Sequence, residues 1–345
     1  MKTLENFNVR DKRILMRCDF NVPLDDQGNI LDDFRISQTI PTIRYLIGKG
    51  AKAILMSHLD DPHGKVVESL RLDLIQKRLI EQLGLSVTKV QDCIGKKIEQ
   101  STLDMKSGEI LLLENLRFHK EEEEGNLEFA EELAKLGDIY INDAFGACHR
   151  SHASITGVPR YLPSGVGILL EKEIEILRKI TDKPEKPMIA IIGGKKVGTK
   201  AKLIDRISEV ADNILIGGLL KKEIEEKKIA LKYPQKIIGP LGKLDSLDIN
   251  PETVNLFKEK IAIARTIFWN GPLGKIEDSK FAQGTTEIAK AIIESKAFSV
   301  VGGGETVEFI NKLGLGGKFN HISTGGGAML AFLSGEELPG LEALR

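Results

Sequence analysis

Along the chain, short runs dominated by apolar residues alternate with longer stretches whose apolar positions recur every three or four residues. In the first half the runs occupy residues 13–18, 52–56, 110–113 and 139–141. In the second half they occupy 188–192, 213–216, 266–269 and 298–301. Runs this short, without polar alternation, suit strands covered on both faces and hence parallel sheets flanked by helices. The periodic stretches 72–83, 127–136, 200–210 and 285–294 predict the covering helices, and the alternation predicts βαβ units. Between the halves, a proline-flanked turn over 158–163 leads into a helical pattern over 167–180, with Ile168, Leu169, Ile174 and Leu177 on its apolar stripe. Two sheets joined by one helix is a hinge architecture. The mixed-charge stretch 221–228 predicts a solvated helix face.

Length and charge narrow the picture. A chain of 345 residues suggests two domains. With 49 Lys plus Arg against 50 Asp plus Glu, the net charge is −1, without the basic excess of a general nucleic-acid binder. Any anion site must come from local clustering. Cys18, Cys93 and Cys148 are far apart and lack metal-ligand spacing, which fits free thiols in a reducing cytoplasm. Lys2, Glu5 and Arg10 interrupt any signal-like apolar core, and no stretch reaches the length of a membrane span. The expectation is a cytoplasmic protein that engages neither membrane nor nucleic acid.

The second half carries glycine loops where strands are expected to stop. Gly193-Gly194-Lys195-Lys196-Val197-Gly198-Thr199-Lys200 lies between a strand and a helix. Its glycines let a phosphate approach the backbone, the following helix offers free N–H groups, and Lys196 and Lys200 add positive charge. The spacing is not that of a Walker A loop, and a tight turn with exposed lysines is the plain alternative. Trp269-Asn270-Gly271-Pro272-Leu273-Gly274, Gly302-Gly303-Gly304-Glu305-Thr306 and Ser323-Thr324-Gly325-Gly326-Gly327 repeat the arrangement. One such loop is weak evidence. Four at strand ends form a pattern, because ligands of open α/β sheets bind outside the carboxyl ends of the strands. Glu305 would be repelled beside a polyphosphate unless it held a cation, which makes it a candidate Mg²⁺ ligand; an ordinary first-turn glutamate is the alternative.

The first half places cations at its strand ends instead. Asp19-Phe20-Asn21 follows the first run, Arg35 precedes a helix expected near Ser37, Ser57-His58 ends the second run, Arg117 follows the third, and His149-Arg150-Ser151-His152 follows the fourth. Forked guanidinium groups suit phosphate and carboxylate. Asp19 and Asn21 could bind hydroxyls or cap a turn, and the histidines read as anion donors or structural groups.

In this order the motifs resemble those of the phosphoglycerate kinase family. The matching strings are RCDFNVPL, DDFRI, SHL, LLLENLRFHKEEE, NDAFGACHRSHAS, WNGPLG, VGGGET and HISTGGGA, and they cover nearly the whole chain. The resemblance implies an α/β fold of two Rossmann-like domains, each with a parallel sheet of six strands flanked by helices, joined by a hinge helix. Residues 1–163 would bind 3-phosphoglycerate, 164–182 would form the hinge helix, 183–325 would bind nucleotide, and 326–345 would return to the first domain. The implied activity is reversible phosphoryl transfer from 1,3-bisphosphoglycerate to ADP, giving 3-phosphoglycerate and ATP in glycolysis, with Mg²⁺ and by a monomer. By matched position, Asp19, Asn21, Arg35, His58, Arg117 and Arg150 would bind the phosphoglycerate. Gly194, Lys196, Lys200, Gly217, Asn270, Pro272, Glu277 and Gly302, Gly303, Gly304, Glu305 and Thr306 would bind the nucleotide, with Glu305 on the metal. Arg35, Lys196, Lys200, Gly325 and Gly326 would stabilise the transferring group. A non-catalytic anion- or nucleotide-binding protein, or a kinase for a related acyl phosphate, are the other readings open to such a sequence.

Four departures from the family pattern stand out. Asp61 occupies the place of a substrate-phosphate arginine, a change expected to cost about 1–3 kcal/mol of binding for the lost charged bond. Lys195, Gly198 and Thr199 differ within the lysine loop. Glu305 replaces an aspartate. Several dozen residues are missing between Gly218 and the 247–253 segment, which predicts a shallower adenine pocket.

Overall fold

The computed structural model describes residues 1–345 except 195–197 and 199. The chain forms two compact units: Met1–Glu173 with Glu337–Arg345, and Ile174–Glu336.

In unit 1 the strands are β1 (Arg13–Arg17), β2 (Lys52–Met56), β3 (Thr88–Lys89), β4 (Ile110–Leu112), β5 (Ile139–Asn142) and β6 (Ser164–Val166), forming one sheet in the order β3-β4-β2-β1-β5-β6. Every pairing is parallel. Ile14, Leu15 and Met16 of β1 and Ile54, Leu55 and Met56 of β2 are fully buried, as strands covered on both faces must be. The register aligns Arg17 with Met56 on one side and with Asn142 on the other. Residues just past β1, β2 and β5 therefore leave the sheet side by side. The two- and three-residue edge strands β3 and β6 are too short to leave an apolar run in the sequence.

Arg35 lies inside the first turn of helix Phe34–Gly48, not before a helix starting near Ser37. Asp32 sets the earlier start, since its Oδ1 accepts from the Phe34 N–H (2.7 Å) and so supplies one of the bonds a helix start lacks.

In unit 2 the strands are β7 (Met188–Ile192), β8 (Asn213–Ile216), β9 (Ile237–Ile238), β10 (Thr266–Asn270), β11 (Phe298–Gly302) and β12 (His321–Ile322), in the order β12-β11-β10-β7-β8-β9, again all parallel. Asn270 pairs with Ile192 and with Gly302, so the loops opening at Gly193, Gly271 and Gly303 begin at the same height. Helix Gly218–Glu226 carries the mixed charges on a solvated face, with Lys221, Lys222 and Lys227 reaching Glu225, Glu226 and Glu223.

The carboxyl-terminal return to unit 1 starts at Glu337, later than the 326 expected from the sequence. Helix Gly327–Leu333 belongs to unit 2, where Met329 fills the space a side chain at Gly302 would need. The last residues bury Leu338, Leu341 and Leu344 in unit 1, and the Gly340 N–H donates to the Cys148 carbonyl (2.9 Å). Among the described residues no helix is long and apolar enough to cross a membrane.

Helix Ile168–Thr181 runs across the boundary between the units. Its start is fastened by Asp143, which follows β5 and whose Oδ1 accepts from the N–H groups of Leu169 (2.9 Å) and Leu170 (3.2 Å). Asp143 is fully buried, its Oδ2 has no hydrogen-bond partner, and burial pushes its carboxyl up to about 7. A folded-state pKa above the unfolded value of about 3.9 means that the native state holds the extra proton, so this contribution to stability is full at low pH and is lost as pH rises from about 4 through 7. Asp143→Asn keeps the oxygen acceptor and removes the charge. Denaturant melts at pH 4 and pH 7 should show the variant gaining on the wild type at pH 7, by on the order of 2–4 kcal/mol relative to the difference at pH 4. An equal difference at both pH values would mean that folding leaves the pKa of Asp143 unshifted.

Candidate active site

In unit 1 the aligned strand ends bring five of the six predicted side chains into one linked set. Arg35 Nη1 donates to both oxygens of Asp19 (3.2 and 3.1 Å) and to the Asn21 carbonyl (3.1 Å). Asn21 Oδ1 accepts from the Asp60 N–H (2.8 Å), and Arg117 Nη1 donates to the Asp60 carbonyl (2.7 Å). Asn115 fixes the turn that carries Arg117: its Oδ1 accepts from the Arg117 N–H (3.1 Å), and its Nδ2 donates to the Leu59 carbonyl (2.8 Å). His58 is buried, and its Nδ1 lies 3.1 Å from Arg17 Nη2. Arg150 is exposed, and its charge reaches both His58 and Arg117.

This set leaves cationic donors unspent. Arg117 is buried, yet its Nη2 and Nε make no hydrogen bond; Nε is 3.2 Å from Glu123 Oε1 but out of line with it. Burial disfavours its charge, Glu123 and Asp61 oppose that, and Arg150 and Arg17 add to it. Burial together with Arg17, Arg117, His152 and Arg150 holds His58 well below the usual histidine range, and burial with the same arginines takes His152 down to about 3. Unpaired buried donors among cations form a built receptor for an anion with several oxygens. Asp61 stands at its edge, about half exposed and 3.3 Å from His63 Nδ1.

Sequence reasoning missed the layer beneath. Arg17 is wholly buried, with Nε on Ser154 Oγ (2.8 Å), Nη1 on the Cys18 carbonyl and Glu122 3.9 Å from Nη2. Glu122 in turn accepts from the N–H (2.8 Å) and hydroxyl of Ser154. A charged residue closing an apolar strand was the available signal: an arginine ending a buried strand needs a buried partner.

In unit 2 the glycine loops surround a cavity of about 510 Å³, a size suited to a small ligand. Its lining includes Gly194, Lys200, Gly217, Pro272, Glu277 and Glu305, all predicted from the sequence. Gly193 has no room for a side chain, because a Cβ there would lie 2.0 Å from the Pro272 carbonyl oxygen. That contact lets the Gly193 and Gly194 N–H groups donate to the carbonyls of Asn270 and Pro272 (both 2.9 Å). Asn270 Nδ2 donates to the Gly302 carbonyl (3.0 Å), and Thr306 Oγ1 accepts from the Gly271 N–H (3.0 Å). These two residues therefore tie loops together, whatever else they contact. Gly303 caps helix Gly304–Lys312 at φ +99°, a conformation that favours glycine, and leaves the first-turn N–H groups free. Gly325 and Gly326 open helix Gly327–Leu333 in the same unit, Gly325 through its N–H bond to Ser323 Oγ (3.1 Å). Lys196 lies outside the described residues.

Lys200 is largely buried and donates to the Gly193 carbonyl; burial lowers its ammonium to about 8, against the raising effect of Glu305. Glu305 is exposed in the first turn of its helix and lines the same cavity. A single free carboxylate fits Mg²⁺, which takes one or two protein carboxylates and completes its shell with phosphate and water. The remaining candidate set among the described residues, Asp92, Cys93 and His119 in unit 1, offers sulfur and nitrogen that Mg²⁺ does not select, and its His119 Nε2 is already 2.7 Å from Asp92 Oδ1. Where the chain is shortened, the cavity wall consists of Leu219, Ser246 and Leu247, with both leucines substantially exposed.

The family model for phosphoglycerate kinase matches residues 4–228 and 221–336. The chain is 45% identical to the phosphoglycerate kinase of Dictyoglomus turgidum and 42% identical to that of Moorella thermoacetica, each over 99% of this chain and 98% of the relative. The crystal structure of phosphoglycerate kinase from Pyrococcus horikoshii superposes with a TM-score of 0.89 at 35% identity, covering 100% of this chain and 98% of the other. The enzyme from Coxiella burnetii gives 0.83 at 30%, covering 99% and 98%. The alignment with the Dictyoglomus protein spans 388 positions against 345 residues here, so several dozen positions have no counterpart, and the two family-model segments meet at 221–228, within the region read as shortened.

The Lys200 environment has a direct test. In protein carrying ¹³C-labelled lysine, one ε-carbon signal should titrate near pH 8, clear of the ordinary lysine value of about 10.4. It should vanish in Lys200→Met. A Lys200 signal that titrates with the bulk would show that its ammonium is not desolvated.

Proposed function

The chain belongs to the phosphoglycerate kinase family and is a phosphotransferase, and we propose that its two units divide the work as two anion receptors of different kind. Unit 1 takes 3-phosphoglycerate or 1,3-bisphosphoglycerate through Asp19, Asn21, Arg35, His58, Arg117 and Arg150. The observation that carries this is the buried guanidinium of Arg117, left with unpaired donors among other cations. Unit 2 takes ADP or ATP in the glycine-lined cavity, with phosphates at Lys200 and the helix start at Gly304, Glu277 on the ribose and the base against Leu219 and Leu247. Lys196 is assigned to the phosphates on the family motif alone. The enzyme is proposed to act as a cytoplasmic monomer.

Phosphoryl transfer asks for alignment and charge neutralisation more than for covalent chemistry. The attacking oxygen, carboxylate or phosphate, is already an anion, so no side chain has to remove a proton and none has to form a bond. The reaction is a direct in-line displacement once the two ligands meet. Arg35, held by Asp19, offers its remaining guanidinium N–H groups to the transferring group. Lys200 brings a positive charge, and the helix start at Gly325 and Gly326 brings a dipole that needs no reorganisation during transfer. Glu305 would hold Mg²⁺, which when bound neutralises and orients the nucleotide phosphates. Excluding water protects the acyl phosphate from hydrolysis.

A coupled assay with 1,3-bisphosphoglycerate and MgADP tests the proposal, with ATP formation the expected result. No turnover at saturating concentrations of both would overturn it. Arg117→Met should raise the KM for 3-phosphoglycerate by about 10- to 100-fold with a smaller effect on kcat, the loss of one or two charged hydrogen bonds. Asp61→Arg should lower that KM by about three- to tenfold, since it exchanges repulsion for attraction beside a phosphate. An unchanged KM in Asp61→Arg would show that the phosphate lies out of its reach.

A further inference from the structure

We infer that Arg17 is a positioning residue that locks His58 in its neutral Nε2–H tautomer, so that His58 meets the substrate as a fixed hydrogen-bond donor and not as a cation. The inference deepens the assignment of unit 1 as the phosphoglycerate site and rests on it. Its core is a matter of valence. A guanidinium has five N–H donors and no acceptor. With Arg17 Nη2 3.1 Å from His58 Nδ1, both buried, that nitrogen must supply the lone pair and the ring proton must sit on Nε2. A proton on Nδ1 would point at another N–H.

Arg17 cannot swing away to relieve such a clash. Ser154 Oγ and the Cys18 carbonyl hold its Nε and Nη1, Glu122 lies 3.9 Å from Nη2 as an ion-pair partner, and Glu122 is itself held by the Ser154 N–H and hydroxyl. The charged and titratable groups that act on His58 are Arg17, Arg117, His152 and Arg150, all of them cations or, for His152, a histidine kept neutral. Burial works in the same direction. A second positive charge on the ring is therefore opposed from every side, while the Nε2–H remains available to an oxygen of the substrate. The function of Arg17 lies in this contact, one layer behind the groups that touch the ligand.

The test is ¹⁵N NMR of the full-length protein labelled at histidine, with His58 assigned by its loss in His58→Gln. Between pH 5.5 and 8 the wild type should show a bare Nδ1 and a protonated Nε2, and the Nε2 signal should move when 3-phosphoglycerate is added. A proton on Nδ1, or a doubly protonated ring within this range, overturns the inference. The expected tautomer with an Nε2 signal indifferent to 3-phosphoglycerate overturns the substrate assignment instead, so the two failures are distinguishable. A double-mutant cycle adds a kinetic readout. Arg17→Met should raise the KM for 3-phosphoglycerate about tenfold in the presence of His58 and less than about threefold on the His58→Gln background. Equal effects on both backgrounds overturn the positioning role.

Discussion

The constraint on which both sites depend is the register of parallel strands. In each sheet every strand ends on the same edge, and the central strands end level: Arg17 beside Met56 and Asn142 in one unit, Asn270 beside Ile192 and Gly302 in the other. Residues far apart in sequence become neighbours because each comes within a few positions of where a strand stops. Asp19, His58, Asp143 and the turn carrying Arg117 gather in this way, as do the loops at Gly193, Gly271 and Gly303. The ladder of backbone hydrogen bonds holds the ligand-binding groups without itself touching a ligand.

On the proposed assignment the same scaffold serves two kinds of anion by different means. Unit 1 uses side-chain charge, with a buried arginine whose donors are unspent. Unit 2 uses backbone, in close glycine-to-carbonyl contacts and open helix starts, and adds Lys200, whose charge burial makes costly. The difference fits the ligands proposed for the two units. A small acid is best gripped by forked, directional guanidinium groups. A polyphosphate spread along a loop is better met by many weak N–H dipoles, with a metal ion to take up the remaining charge.

Most of this was legible in the sequence because strand ends are legible. Among the described residues apolar runs marked eight of the twelve strands, and the polar residues immediately after them were the candidate ligands. What escaped reading had physical reasons. Strands β3, β6, β9 and β12 are two or three residues long, too short to leave an apolar run in the sequence. The start of helix Phe34–Gly48 was hidden because Asp32, not a residue near Ser37, supplies the first turn with its acceptor. The division of the carboxyl-terminal segment at Glu337 turns on where Met329 and Leu341 pack, a tertiary fact with no local signature.

The layer of Arg17, Glu122 and Ser154 is the more instructive omission. Reading by motif rewards residues that can touch a ligand and passes over charged residues that cannot. A wholly buried arginine is tolerable only where its donors are nearly all spent, and spending them here joins β1, the helix that contains Glu122 and the segment after β5 into one rigid floor. His58 rests on that floor through a nitrogen able only to accept. The histidines add no charge to the arginines above, since burial and neighbouring arginines keep His58 and His152 neutral. The cationic strength of the site resides in arginines, which hold their charge at any physiological pH, and the histidines supply direction instead.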